Sequence, residues 1–344
     1  MKKMLLAALV ALAGGAAQAS GPSRSTGAGA TVPNPLDSKW FSEYNKLFPD
    51  VRFNYQAIGS GGGIQQFTAG TVEFGATDAP MTAEELAKAP DAVHIPTVLG
   101  AVVVTYNAPF VGLKLTPDVL AGIFLGKITR WNDPAIARVN PGITFPDTAI
   151  TVVRRSDGSG TTSIFTDYLA KVSPEWKEKV GAGKSVSWPV GLGGKGNDGV
   201  TGLIKQTPGS IGYVELAYAN QNKLPLTALR NRDGNFVLPS LESTSAAAAG
   251  VTMPADYRVS LTDAAGKDAY PMASFTYLLV HKDAKDAAKG VALANFLWWA
   301  VHAGQAYAAP LDYAPLPKPV VGMVEKTIQG LLVQGKPVSL AAAK

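Results

Sequence analysis

Along most of the chain, segments with helical spacing of apolar residues alternate with short β-branched runs, and this alternation restricts the fold more than any other feature. PLDSKWFSEYNKLF (residues 35–48) puts Leu36, Trp40, Phe41, Tyr44, Leu47 and Phe48 on one helical face. RFNYQAIG then reads as a strand, GIQQFTAGT as a short helix and VEFGATD as another strand. AVVVTYN is a buried strand, and Thr116 with Pro117 opens a helix running to Phe124, with a hydroxyl cap and proline in the first turn. ITVVRR is a strand, TTSIFTDYLAKV a helix that turns Ile164, Phe165, Tyr168 and Leu169 inward, and SIGYVE a strand. Near the end SFTYLLV is strand-like, while GVALANFLWWAVHAG and MVEKTIQGLLVQG are helical; STSAAAAG (residues 243–250) reads as a loop or helix end. Strands separated by helices predict α/β sheets covered on both faces.

The N-terminus, MKKMLLAALVALAGGAAQAS, has two lysines, a short apolar run and an A-x-A site at residues 17–19. That pattern predicts a secretory signal over residues 1–19, too short to span a bilayer as a mature helix. About 325 residues then remain, more than one hydrophobic core serves, so two lobes are expected. The chain has no cysteine, which excludes disulfides, a lipid-modified N-terminal cysteine, a thiolate metal site and a thiol nucleophile. Losing Lys2 and Lys3 with the leader lowers the formal net charge from +5 to +3. That balance suits a small anion and provides no basic stripe for nucleic acid.

Three Gly- or hydroxyl-rich turns open helices: GAGAT (residues 27–31), GSGGG (59–63) and DGSGTT (157–162). A helix N-terminus carries unpaired N–H groups and about half a positive charge, and glycine lets a ligand approach the backbone, so such an end attracts anions. The third turn follows Arg154 and Arg155, which leave a strand on opposite faces, so one of them can enter a site there. Asp157 is near enough to hold an arginine fork. A guanidinium beside a helix N-terminus suits a tetrahedral oxyanion, although the same pair on a surface would contribute little.

Other chemistries lack their parts. GKS at residues 183–185 resembles the end of a P-loop, but Glu178 stands where the first glycine belongs. GLGGKG (191–196) has dinucleotide-fingerprint spacing, yet Pro189 interrupts the preceding strand and Asn197, Asp198 and Gly199 delay the helix, so it reads as a structured loop. Neither Ser60 nor Ser159 sits in G-x-S-x-G. His94, His281 and His302 are scattered without metal-ligand spacing, and no carboxylate cluster accompanies Asp78 or Asp157 to support phosphatase chemistry.

GAGATVPNPL, IGSGGGIQQ, FGATDAPMT, LGKITRWNDPAI, VVRRSDGSGTT, WPVGLGGKGNDGV and PGSIGYVELAYA occur in this order over nearly all the mature chain. Together they closely resemble the periplasmic phosphate-binding proteins of high-affinity ABC-type phosphate uptake systems. The resemblance implies a two-lobed α/β fold with a mostly parallel sheet in each lobe and a ligand cleft between them. Residues 20–97 and 272–344 would form the first lobe and residues 98–271 the second. It also implies binding of inorganic phosphate through Thr31, the backbone of Val32 (where many members have Phe), Ser60, Asp78, Arg155, Ser159, Gly160 and Thr161, with Asp157 orienting Arg155. Gly61 replaces a second serine often found after Ser60. No catalysis, cofactor or metal is implied. The implied partner is an ABC transporter, its permease touched directly, and the implied state is a periplasmic monomer without a lipid anchor.

Asp78 distinguishes among oxyanions. A carboxylate beside a dianion repels it unless a proton lies between them. Phosphate keeps a proton at neutral pH and sulfate keeps none, so an Asp78 acceptor favours phosphate over sulfate or molybdate. A secreted phosphatase built on the same cage is the competing reading from another functional class; it requires a nucleophile, general acid or metal set.

Overall fold

The computed structural model describes residues 23–340, so the secretory leader expected at 1–19 lies outside the described residues. Eight strands carry the architecture: β1 (Ser23–Gly29), β2 (Val51–Ala57), β3 (Phe74–Thr77), β4 (Ala92–Asn107), β5 (Thr151–Arg155), β6 (Leu192–Gly194), β7 (Ser210–Glu215) and β8 (Ala273–His281). They form one curled sheet in the order β2-β1-β3-β8-β4-β7-β5-β6. The outer strands of each half are parallel: β1 with β2 and β3, and β5 with β6 and β7. Where the chain passes between halves the pairing is antiparallel, β8 with β3 and β4 on one side and β7 with β4 on the other.

β4 is the structural bridge. Its 16 residues, AVHIPTVLGAVVVTYN, are buried almost throughout, as expected of an apolar, β-branched strand covered on both faces. At roughly 3.3 Å per residue it spans about 50 Å, long enough to serve both lobes. Its first part pairs with β8 and its last part with β7. One core gathers chain up to Leu99 and again from Ala273, and the other runs from Ala101 to Met272. Ala217, Ala247, Ala248, Tyr257, Leu261 and Ala269 join the first of these cores although they precede residue 272.

The first helix, α1 (Asn34–Leu47), has proline in its first turn and buries Leu36, Trp40, Phe41 and Tyr44. Trp40 Nε1 donates to Gly304 O at 2.7 Å, tying the helix to a segment 264 residues away. Leu47 and Phe48, expected inward, are exposed, because the helix ends there and leaves the sheet behind. Helix α2 (Ser60–Thr68) covers the opposite face through Ile64 and Phe67.

Several local readings change. β1 is a central strand, although SRSTGAG has little strand propensity. Its small residues answer tertiary crowding: a Cβ on Gly27 would stand 2.1 Å from the Phe74 ring, and one on Gly63 would stand 2.4 Å from Gly29 Cα. GLGGKG is a short strand running into a helix rather than a loop: β6 (Leu192–Gly194) lies within it and α4 (Gly196–Gln206) begins at its last glycine, because the strand starts after Pro189; α3 denotes Gly160–Val172. For STSAAAAG the helix-end alternative holds: residues 243–249 finish the helix Leu241–Ala249, which a Ser240–Ser243 capping box starts, and Gly250 is its C-cap. Thr116 is the N-cap of Pro117–Phe124, but its hydroxyl makes no capping bond.

Candidate functional site

All nine residues implicated by the resemblance come together where strands β1, β3 and β5 end and helices α1, α2 and α3 begin. Outside the carboxyl ends of parallel strands is where open α/β sheets bind ligands. Thr31 and Val32 lie between β1 and α1. The carbonyls of this loop are committed to tyrosines: Tyr55 Oη donates to Ala30 O, Tyr218 Oη to Thr31 O and Tyr313 Oη to Val32 O, each at 2.6 Å. An incoming anion is thus spared their repulsion. The Val32 side chain turns into the first core, so only its backbone belongs to the site.

Ser60 is the first residue of α2, whose N-cap Gly59 has φ +91°, a left-handed geometry that suits glycine. A Cβ there would also stand 2.4 Å from Asp157 Oδ2. Ser159 caps α3, its Oγ accepting the Thr162 N–H at 2.9 Å. Gly160 and Thr161 follow in the first turn, where backbone N–H groups have no intrahelical acceptor.

Arg155 is 2% exposed, and its side chain is held from three directions. Nε and Nη2 donate to Asp157 Oδ1 and Oδ2 at 2.7 and 2.5 Å, a bidentate fork. Nη1 donates to Thr31 Oγ1 at 3.3 Å and Thr161 Oγ1 at 3.2 Å. Burial alone would raise the Asp157 carboxyl, but the Arg155 hydrogen bonds and charge, with the Gly196 N–H, hold it below the usual carboxylate range. Arg154 leaves the strand on the other side, its Nη1 donating to Arg155 O at 3.2 Å.

Asp78 faces the opposite wall and is 2% exposed. Thr276 Oγ1 donates to its Oδ1 at 2.9 Å. Ser60 Oγ lies 3.4 Å from Oδ2 and accepts the Asp78 N–H at 3.2 Å. Burial pushes this carboxyl up to about 7, against the lowering effects of the Thr276 bond, the Arg155 charge and Ser60. The site therefore pairs a permanent cation with a carboxyl that takes or gives a proton near neutrality.

The two lobes are in contact around these groups. Gly61 N donates to Gly158 O at 2.9 Å, and Lys184 Nζ meets Glu85 Oε2 at 2.9 Å. A Cβ on Gly160 would sit 2.4 Å from Ser60 Oγ and 2.6 Å from Asp78 Oδ2. This is a closed cleft.

The structure adds residues to which sequence reasoning gave no role. Asn197 bridges Thr31 and Thr161; Tyr213 Oη accepts the Arg155 N–H and contacts Thr162; Thr276 comes from β8. Asn197 lay inside the conspicuous GGKGND block, which was the available signal. His94 is buried and neutral, pushed down to about 4 by burial, with Nε2 accepting the Met81 N–H. His281 pairs with Asp91 and His302 with Glu325, away from the site. Among the described residues no group of three or more His, Asp or Glu is placed to hold a metal ion, and no helix is long and apolar enough to cross a membrane.

A family model described as the PBP superfamily domain matches residues 16–302. "Phosphate-binding protein PstS" of Xylella fastidiosa (strain Temecula1) is 48% identical over 305 residues, covering 87% of this chain and 83% of that protein. The protein of the same name from Pasteurella multocida is 48% identical, with 87% and 88% covered; that of Methanocaldococcus jannaschii is 44% identical, with 85% and 82% covered. Among solved structures, a human phosphate-binding apolipoprotein superposes with TM-score 0.73 at 21% identity, covering 91% of this chain and 99% of that one. A periplasmic phosphate-binding protein, PfluDING, gives 0.71 at 21% identity, with 88% and 93% covered. The solved structures establish a shared two-lobed fold, and the family model with the near-half identity of full-length relatives establishes membership: the chain belongs to the PstS phosphate-binding proteins of the PBP superfamily.

Proposed function

We propose that this chain is a receptor that captures inorganic phosphate between its lobes and hands it to an ABC transporter for import, without catalysing a reaction. The observation that carries the proposal is the opposition, within one dehydrated cage, of the Arg155 guanidinium and the Asp78 carboxyl. Thr31 Oγ1, the Val32 N–H, Ser60 and Asp78 form the part of the cage on one lobe. Arg155, Ser159 and the backbone and hydroxyl donors of Gly160 and Thr161 complete it from the other, while Asp157 fixes the arginine. Phosphate brings the proton that Asp78 shares. Supporting the wider role are the names of the relatives, all phosphate-binding, and a structural neighbour from Clostridium perfringens described as a putative phosphate ABC transporter substrate-binding protein with bound phosphate.

In this reading residues 20–97 and 272–344 make the first lobe and 98–271 the second, with part of the 241–270 stretch packed across onto the first core. Closure by hinge bending in β4 and at the start of β8 presents the form that the permease meets. The protein acts as a periplasmic monomer freed of its leader, without a lipid anchor.

Isothermal titration of the mature, phosphate-stripped protein tests this. One-to-one binding of phosphate, weak or no heat with sulfate, and loss of binding in Arg155→Ala are expected. A wild-type protein that ignores phosphate, or that turns over p-nitrophenyl phosphate steadily, would overturn the reading.

A further inference from the structure

Asn197 is completely buried at the start of α4, and its side chain is engaged at both ends. Oδ1 accepts the Glu215 N–H at 3.0 Å, which settles the amide orientation: carbonyl toward β7, NH2 toward the cleft. Nδ2 donates to Thr31 Oγ1 at 2.7 Å and Thr161 Oγ1 at 3.2 Å, and the backbone N–H of Asn197 also reaches Thr31 Oγ1 at 3.3 Å. Arg155 Nη1 donates to the same two oxygens.

A hydroxyl has two acceptor lone pairs and one proton. Thr161 Oγ1 therefore has both lone pairs taken, by Arg155 Nη1 and the Asn197 amide, while Thr31 Oγ1 meets three N–H groups, of which the Asn197 amide at 2.7 Å is the nearest; none of these groups can accept in return. Among the described residues neither hydroxyl proton has a protein acceptor. Each O–H is left to donate into the cage. A hydroxyl free to rotate could instead turn a lone pair toward an anion and repel it; these contacts remove that option.

We propose that Asn197 is a positioning residue that sets the proton direction of Thr31 and Thr161, making both hydroxyls obligatory donors to bare oxygens of the bound anion when the lobes close. The proposal rests on the phosphate reading and deepens it. Thr31 lies on the first lobe and Asn197 and Thr161 on the second, so the polarity of Thr31 is set only in the closed form. The cage then has two unlike poles. Asp78 accepts the ligand's proton, while the threonine pole refuses one, and a monoprotonated oxyanion is held with its hydroxyl toward Asp78.

A double-mutant cycle with inorganic phosphate at pH 8 tests it. Asn197→Ala in the otherwise wild-type protein should weaken phosphate about tenfold or more, the scale of a lost buried hydrogen-bond network. The same change in a Thr31→Val/Thr161→Val background should alter Kd less than about twofold, because the groups it acts through are gone. Equal losses in both backgrounds would overturn the proposal. Should Asn197→Ala fail to fold, Asn197→Leu, a near-isostere that likewise offers no side-chain N–H to either threonine and adds no acceptor, carries the same cycle. Wild-type protein that binds no phosphate would sink the receptor reading itself, whereas tight wild-type binding with additive losses sinks only the role of Asn197.

Discussion

The raised Asp78 carboxyl makes anion selectivity a function of pH. Sulfate carries no proton at neutrality, so its complex requires Asp78 to take one from solvent. Phosphate retains one throughout the range above neutrality and shares it. With the carboxyl titrating at about 7 in the closed site, sulfate affinity should fall tenfold for each pH unit above that value. Between pH 7 and pH 9 the penalty reaches about 2.7 kcal/mol, about a hundredfold, while phosphate affinity stays nearly level. Replacing Asp78 by Asn removes the titrating group and supplies an N–H donor in its place. The sulfate slope should vanish, and phosphate should lose about 1–3 kcal/mol as its hydroxyl forfeits an acceptor. Titration calorimetry at pH 7, 8 and 9, in buffers of different ionisation enthalpy, reads both affinity and proton uptake. One proton taken up with sulfate and none with phosphate at pH 9 is the expected result. A sulfate affinity that does not change from pH 7 to pH 9, or a slope that persists in Asp78→Asn, refutes the shared-proton argument.

Gly160→Ala puts a methyl against Ser60 and Asp78 of the other lobe, and the crowding, about 1–3 kcal/mol, should weaken phosphate tenfold to a hundredfold. Because the clash exists only between closed lobes, the unfolding temperature of the unliganded protein should barely move, and a large drop would place the strain within a lobe. Arg155→Ala leaves Asp157 without its fork; breaking so buried a pair should cost about 3–5 kcal/mol in chemical denaturation as well as abolish binding.

Residues that act through their chain neighbours were readable in advance. The Arg155–Asp157 fork and the glycine-hydroxyl turns that open α2 and α3 depend on spacings of two to four residues, and each is found as the linear order suggests, whereas the hydroxyl cap expected of Thr116 is not made. The motif blocks likewise marked the pieces of the cage, since a glycine-hydroxyl turn before a helix has the same chemistry in any fold. β1 was hidden because its glycines answer the crowding of Phe74 and α2 rather than strand propensity. Leu47 and Phe48 continue a helical pattern past the point where the sheet stops receiving it. Asn197 meets Thr31 across 166 residues and Tyr313 meets Val32 across 281, distances over which no periodicity carries information. The alternation of segments and the glycine-hydroxyl turns at helix starts are local properties, and the sequence by itself determined them. The titration of Asp78, the direction of the threonine protons and the closure of one lobe on the other depend on which distant groups exclude water from the same few ångströms, and only the tertiary structure decided them.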